Sequence, residues 1–247
     1  MKNKLSILIL LLAVLCSCDA LNPFEEEGEY IEKRIDLPSI SGIQNNNIFK
    51  IILVEDDDEY VLLKGGENII SKVSIQINEQ NVIIDHSHKN NFTNYDQIIA
   101  EFHLKEFKKI ATEAPSNYST QGTISGDLLD IDVASASELV EMNLSLNYNS
   151  LDFHTYGSVA GGYEFNGVCT EAKYVLNGII NIKASQLQTS NTNLAQNGIG
   201  EAHIWVENKL NATIYTSGNI YYKGNPEITI KRVQVNNQSP TAKVIPE

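Results

Sequence analysis

The sequence predicts an all-β protein, with a hairpin-rich N-terminal part and a parallel β-solenoid behind it. Three observations carry this. Apolar residues alternate in short runs such as Val73-Ser-Ile-Gln-Ile77, the period of a half-buried strand. No segment keeps a helical period, apart from a short turn around Glu67 to Lys72. The third is an internal repeat: Leu129–Val133, Leu151–Thr155, Ile180–Ala184 and Ala202–Val206 can be laid over one another, with a shorter fifth copy at Ile220–Tyr222. Their starts are 22, 29, 22 and 18 residues apart. Turn residues precede several of them, at Asn147–Ser150, Asn177-Gly178, Asn197–Gly200 and Ser217–Asn219. Short strands with Gly and Asn corners at a period near 20 suit stacked coils whose alternate residues fill an interior. An antiparallel sandwich is the competing architecture.

The chain opens with Met1-Lys-Asn-Lys4, an apolar run from Leu5 to Leu15, and Cys16-Ser17-Cys18. Charge, then a short apolar run, then small residues is the layout of a secretory signal peptide. The run is shorter than the roughly 20 residues that a membrane-spanning helix needs. Leu15-Cys16-Ser17-Cys18 resembles the lipobox of bacterial lipoproteins. That resemblance implies removal of residues 1–17 and a lipid on Cys18. Several acyl chains together make a stable membrane anchor. The expected place is the cell envelope, as an outer-membrane lipoprotein on the periplasmic side or at the cell surface.

Loss of Lys2 and Lys4 and of no acid moves the net charge from −13 to −15. Such a balance excludes a nucleic-acid partner, which needs a basic footprint, and a polybasic grip on anionic lipid. With Cys18 lipidated, Cys169 is alone and reads as a small buried apolar residue rather than a reactive thiol.

Residues 18–33 are acidic and lack a sustained apolar period, so they read as a tether. Glu25-Glu26-Glu27 loosely resembles the surface-export signal of Bacteroidetes lipoproteins. Residues 34–230 form the β domain, and 231–247 a C-terminal tail. Within the domain, Phe49–Val54 and Tyr60–Lys64 flank the acidic Glu55–Glu59 and are expected to form a hairpin. Val73–Ile77 and Val82–Asp85, joined by Asn78–Asn81, form another.

Lys209-Leu-Asn-Ala-Thr-Ile-Tyr-Thr-Ser-Gly-Asn-Ile-Tyr-Tyr-Lys-Gly-Asn-Pro226 resembles the closing coil of the head GIN domain family, auto-transporter adhesins of Bacteroidetes. Arg34–Ile43, Ile48–Val54, Tyr60–Lys64 and Glu67–Ile70 match the order of elements with which that family opens. The resemblance implies a right-handed parallel β-helix-like fold and an adhesin role without a known activity. This sequence departs from the family's Gly-Ser-Gly corners, substituting Asn at several of them. Asn tolerates positive φ next best after Gly.

Stacked repeats put one outward ladder at Asp130, Asp152, Asn181, His203 and Tyr221, and a second at Asp132, His154, Lys183 and Trp205. Two carboxylates about 5 Å apart would suit retaining glycoside hydrolysis. The same alternation equally produces a solvated polar face. His86 and His88, with Asp85 and His103, fall short of a zinc ligand set, and Glu55–Glu59 lacks the spaced pattern of a calcium loop. No metal or cofactor is therefore assigned. Nucleophile-elbow, phosphate-loop, Cys-x-x-Cys and zincin motifs are all missing from the sequence. Trp205, Tyr221 and Tyr222, with Tyr156 and Tyr163, could form an aromatic strip, because inward Ile204 and Val206 turn Trp205 outward. Core filling is the competing role for these rings. The leading function is then non-catalytic binding of a protein or glycan through Trp205, Tyr221, Tyr222, His203, Asp130 and Asp152. A carbohydrate-active enzyme on the same scaffold and a structural envelope protein are the alternatives.

Overall fold

The computed structural model describes residues 26–87 and 97–247. The signal peptide, Cys18 and His88 lie outside the described residues. Among the described residues, one curled sheet of seventeen strands forms a β-solenoid of about seven turns.

The N-terminal layers mix directions. Strand β1 (Tyr30–Asp36) runs antiparallel to β4 (Tyr60–Gly66), and β4 runs antiparallel to β7 (Ile99–Leu104). Strand β3 (Lys50–Glu55) lies parallel to β7 on one side and to β9 (Ser116–Gln121) on the other. The expected hairpin between Phe49–Val54 and Tyr60–Lys64 is therefore not made, because β7 sits between the two strands. The acidic connection steps across the end of β7: the Asp56 N–H donates to the Leu104 carbonyl at 3.0 Å. Periodicity identified both strands but could not name their partners.

The second hairpin does form. Strand β5 (Val73–Asn78) pairs antiparallel with β6 (Asn81–His86) after a one-turn helix, α1 (Glu67–Ile70). Strand β2 (Gly42–Asn45) then lies parallel to both β6 and β8 (Lys109–Thr112).

From β10 (Ile124–Val133) onward the pairing is purely parallel. Strands β11 (Leu139–Thr155), β12 (Ala160–Leu176), β13 (Ile179–Gln196) and β14 (Ala202–Ile214) stack in order. Strands β15 (Ile220–Lys223) and β16 (Glu227–Arg232) both lie on β14, and β17 (Val244–Pro246) lies on β15. Part of β16 and all of β17 fall within 231–247, so that segment adds to the last layer.

Leu129, Leu151, Ala172, Thr192, Leu210 and Ile228 occupy one vertical line. By residue number the coils along it are 22, 21, 20, 18 and 18 residues long. Each long strand bends through a corner while keeping its inside and outside distinct. In β11, Val140, Met142, Leu144, Leu146 and Tyr148 point inward; Asn149 and Ser150 both stay outside, and Leu151 and Phe153 resume the inward set. Two successive outward residues restore the alternation on the next face, because a strand's side chains change sides at every step.

The interior is a continuous apolar column. Phe153 is fully buried with Tyr163 and Phe165 at ring-centroid distances of 4.7 and 5.4 Å, both edge-on. A fully buried aliphatic or aromatic side chain contributes roughly 1.5–3 kcal/mol by leaving water. The corner between β12 and β13 needs a glycine: Gly178 has φ +87°, and a Cβ there would stand 2.1 Å from the Val159 carbonyl oxygen. Its neighbour Asn177 donates its backbone N–H to Thr155 Oγ1 at 2.7 Å, tying the corner to the coil below.

Candidate functional site

Each of the two outward ladders anticipated from the overlaid repeats is split between two faces of the solenoid. Asp130 does stack on Asp152, but the line continues through Lys173, Asn193 and Asn211. His203 stacks instead between Lys183 and Tyr221, in a line that runs back through Glu164 and Asn143. The overlay failed at its 29-residue step, which crosses from one face of a coil to another. It also placed Ala202 opposite Ile180, whereas the structure pairs Ala202 with Ile182.

On the first face the carboxylates are committed. Lys109 Nζ lies 3.1 Å from Asp130 Oδ2 and 3.0 Å from Asp132 Oδ2. Hydrogen bonding to Asp132, then to Asp130, raises the Lys109 pKa against the opposing cost of burial. Lys173 Nζ lies 3.2 Å from Asp152 Oδ2. The Tyr156 hydroxyl donates to Asp132 Oδ1 at 3.1 Å. Asp130 and Asp152 are thus each bridged to an ammonium group.

The aromatic strip is not continuous. Tyr163 is fully buried in the core, and half-buried Tyr222 packs against the core beside Ile204. Both follow from strand parity, which turns these two rings inward. Tyr156 belongs to the Asp132 face. Trp205 does face outward, but Lys223 Nζ sits 3.7 Å over its ring and its Nε1 donates to Glu207 Oε1 at 2.7 Å. His203 and Tyr221 stack on each other at 4.6 Å and 11°. His203 Nδ1 also bonds the Glu247 carboxylate, which accepts from Ser185 Oγ at 3.2 Å.

Beside this stack is a hollow of about 490 Å³, lined by Glu164, Asn181, Ile182, Lys183, Gln186 and His203 among others. Sequence reasoning missed Glu164, Ser185, Gln186 and Glu247. One signal was present: Ile180, Ile182 and Ala184 share a parity that Leu187 breaks, marking an irregularity in the strand.

Elsewhere, Cys169 is buried as expected, and desolvation pushes its thiol pKa up to about 11. Among the described residues no group of three or more His, Cys, Asp or Glu side chains could hold a metal ion. No helix among them is long and apolar enough to cross a membrane.

Residues 40–226 match the family model described as "Putative auto-transporter adhesin, head GIN domain". A search of curated proteins returned no match. Among solved structures, a "putative adhesin" from Bacteroides fragilis is similar, with TM-score 0.77 and 15% identity over 89% of this chain and 97% of that one. A "putative adhesin" from Parabacteroides merdae gives 0.64 and 20%, over 89% and 97%. A "putative lipid binding protein" from Parabacteroides distasonis gives 0.66 and 20%, over 88% and 97%. At these identities the likeness is one of fold.

Proposed function

The chain belongs to the head GIN domain family, and on that premise we propose that it is a non-catalytic binding protein of the cell envelope. It holds a protein or glycan partner against the side of the solenoid. The observation that carries this reading is the contrast between the two faces. The stacked acids Asp130 and Asp152 are bridged by lysines, while the Lys183–His203 face is hollowed and carries uncommitted polar groups. The family and the similar Bacteroides fragilis and Parabacteroides merdae structures are described as adhesins, which supports binding over turnover. The signal-peptide layout and the lipobox-like Leu15–Cys18 support a lipid on Cys18 and an outer-membrane location.

Three experiments test this. Protease added to intact cells removes a surface-displayed domain and spares a periplasmic one, while replacement of Cys18 by Ala releases the protein from the membrane fraction. In adhesion assays, Trp205→Ala in the full-length protein weakens binding to host cells or matrix; unchanged adhesion would remove Trp205 from the contact surface. The enzymatic alternative requires new reducing ends from a polysaccharide panel, and their loss in Asp130→Asn and Asp152→Asn.

A further inference from the structure

The hollow on the Lys183–His203 face has a definite origin. Against β14, Ala184 pairs with Ile204 but Gln188 pairs with Trp205, so residues 185–187 have no counterparts. Against β12, Glu164 pairs with Lys183 but Asn166 with Gln186, a second slip at the same place. Bulges of this kind bend a strand and re-aim its side chains. A second hollow of about 300 Å³ continues toward Asn117 and Glu141 and shares Glu164 and Lys183 with the first. Between them the outward line Glu141–Gly162–Asn181 lacks a side chain at Gly162. The joined groove crosses β9, β11, β12, β13 and β14, about 19 Å at the spacing of paired strands.

Several of its polar side chains are unspent. Among the described residues, the side chains of Glu164, Lys183 and Gln186 make no hydrogen bond or ion pair, unlike the lysine-bridged acids of the first face. Asn181 Oδ1 accepts the Glu201 N–H at 3.1 Å, which leaves its amide nitrogen as a donor. Carboxylate, amide and ammonium together supply both acceptors and donors, as hydroxyl groups require. Ile182 and the His203–Tyr221 stack add apolar surface. The first hollow has two acids, Glu164 and Glu201, against Lys183, and the whole chain carries −13, so an anionic chain is repelled. A peptide added as a strand needs an open edge, and β13 is paired on both sides.

We propose that this groove binds a neutral oligosaccharide, with Glu164, Lys183, Asn181 and Gln186 bonding its hydroxyls; this deepens, and rests on, the binding reading above. The test is calorimetry of the full-length protein with neutral glucan, mannan and galactan oligosaccharides, with an oligouronate as the anionic comparison. At least one neutral chain binds and the oligouronate binds more weakly. Lys183→Ala and Glu164→Gln each weaken that binding about tenfold, the effect of losing one or two hydrogen bonds. Gly162→Gln fills the groove and abolishes it; the atom a new Cβ would meet at 2.7 Å is the movable Glu141 Oε2, so the fold tolerates the change. Glu227→Gln, on exposed β16, leaves binding unchanged. Thermal melting confirms that each variant is folded. If no neutral glycan binds, if the oligouronate binds best, or if folded Lys183→Ala and Gly162→Gln both bind like wild type, the proposal is overturned. Adhesion to cells is measured in parallel: adhesion without glycan binding overturns the groove assignment alone, and loss of both overturns the binding function as well.

Discussion

His103 Nε2 lies 2.8 Å from Glu101 Oε1 inside the N-terminal layers, with both side chains about one-tenth exposed. The other ring nitrogen, Nδ1, lies 2.9 Å from Asp56 Oδ2, and Lys64 Nζ reaches Glu101 Oε2 at 2.8 Å. Tyr60 stacks on the imidazole at 4.0 Å, with the Arg34 guanidinium 3.7 Å over the far ring. Burial alone would raise the Glu101 pKa, but hydrogen bonds from Lys64 and His103 outweigh it and hold the carboxyl below its ordinary value. Asp56 is lowered too, chiefly by its hydrogen bond to His103.

The pH dependence follows. A carboxyl lowered on folding stabilises the protein above its unfolded pKa, about 4.3 for Glu, and loses that contribution as pH falls through the folded value. The contribution of Glu101 and Asp56 is therefore constant down to about pH 5 and is lost on further acidification, lowering the melting temperature there. Glu101→Gln flattens that drop in a pH series of thermal melts. His103→Ala costs about 1–3 kcal/mol in denaturant titrations, because it removes a buried hydrogen-bond partner of Glu101.

Phe153 is the centre of the aromatic part of the column, between Tyr163, Phe165 and Tyr174. Phe153→Ala leaves a void that the stacked coils above and below cannot fill. The expected loss is about 3–5 kcal/mol, read from chemical denaturation.

Gly178→Ala requires both a left-handed backbone and a displaced Val159 carbonyl. It destabilises the protein by more than about 1 kcal/mol, whereas an ordinary Gly→Ala change at a compatible site stabilises it. Thermal melting distinguishes the two signs.

Cys169 is 4% exposed, and a thiol pKa near 11 leaves almost no thiolate at neutral pH. Iodoacetamide modifies it slowly in the native protein and promptly in guanidinium, as intact-mass spectrometry will show.

Strand identity was legible in the sequence wherever one side of a strand was buried. The alternation of Leu129–Val133 and Leu151–Thr155 reports directly which residues fill the interior, whereas in Val73–Ile77 the apolar Val73 and Ile75 are only partly buried and Ile77 is exposed. Partner choice was not legible, because parity is the same for every neighbour: Phe49–Val54 and Tyr60–Lys64 looked like a hairpin and are separated by β7. The stacking of Asp130 on Asp152 was found because their coil spacing, 22 residues, is also the true one. His203 was misplaced because each coil repeats the same pattern on several faces. The lysines that answer Asp130 and Asp152 come from β8 and β12, segments that the overlaid repeats did not include.

The shortening of successive coils, from 22 residues to 18, has a consequence for engineering. The residue count per coil falls along this line, with β13 holding the unpaired residues 185–187, so the layers are not interchangeable parts. Excising the layer between Ala172 and Thr192 would seat the shorter 18-residue coil that follows directly on a 21-residue one. The mismatch at that junction would exceed the one or two residues that each natural step absorbs. Coil grafts within this scaffold should therefore preserve the gradient, exchanging a layer only for one of the same residue count.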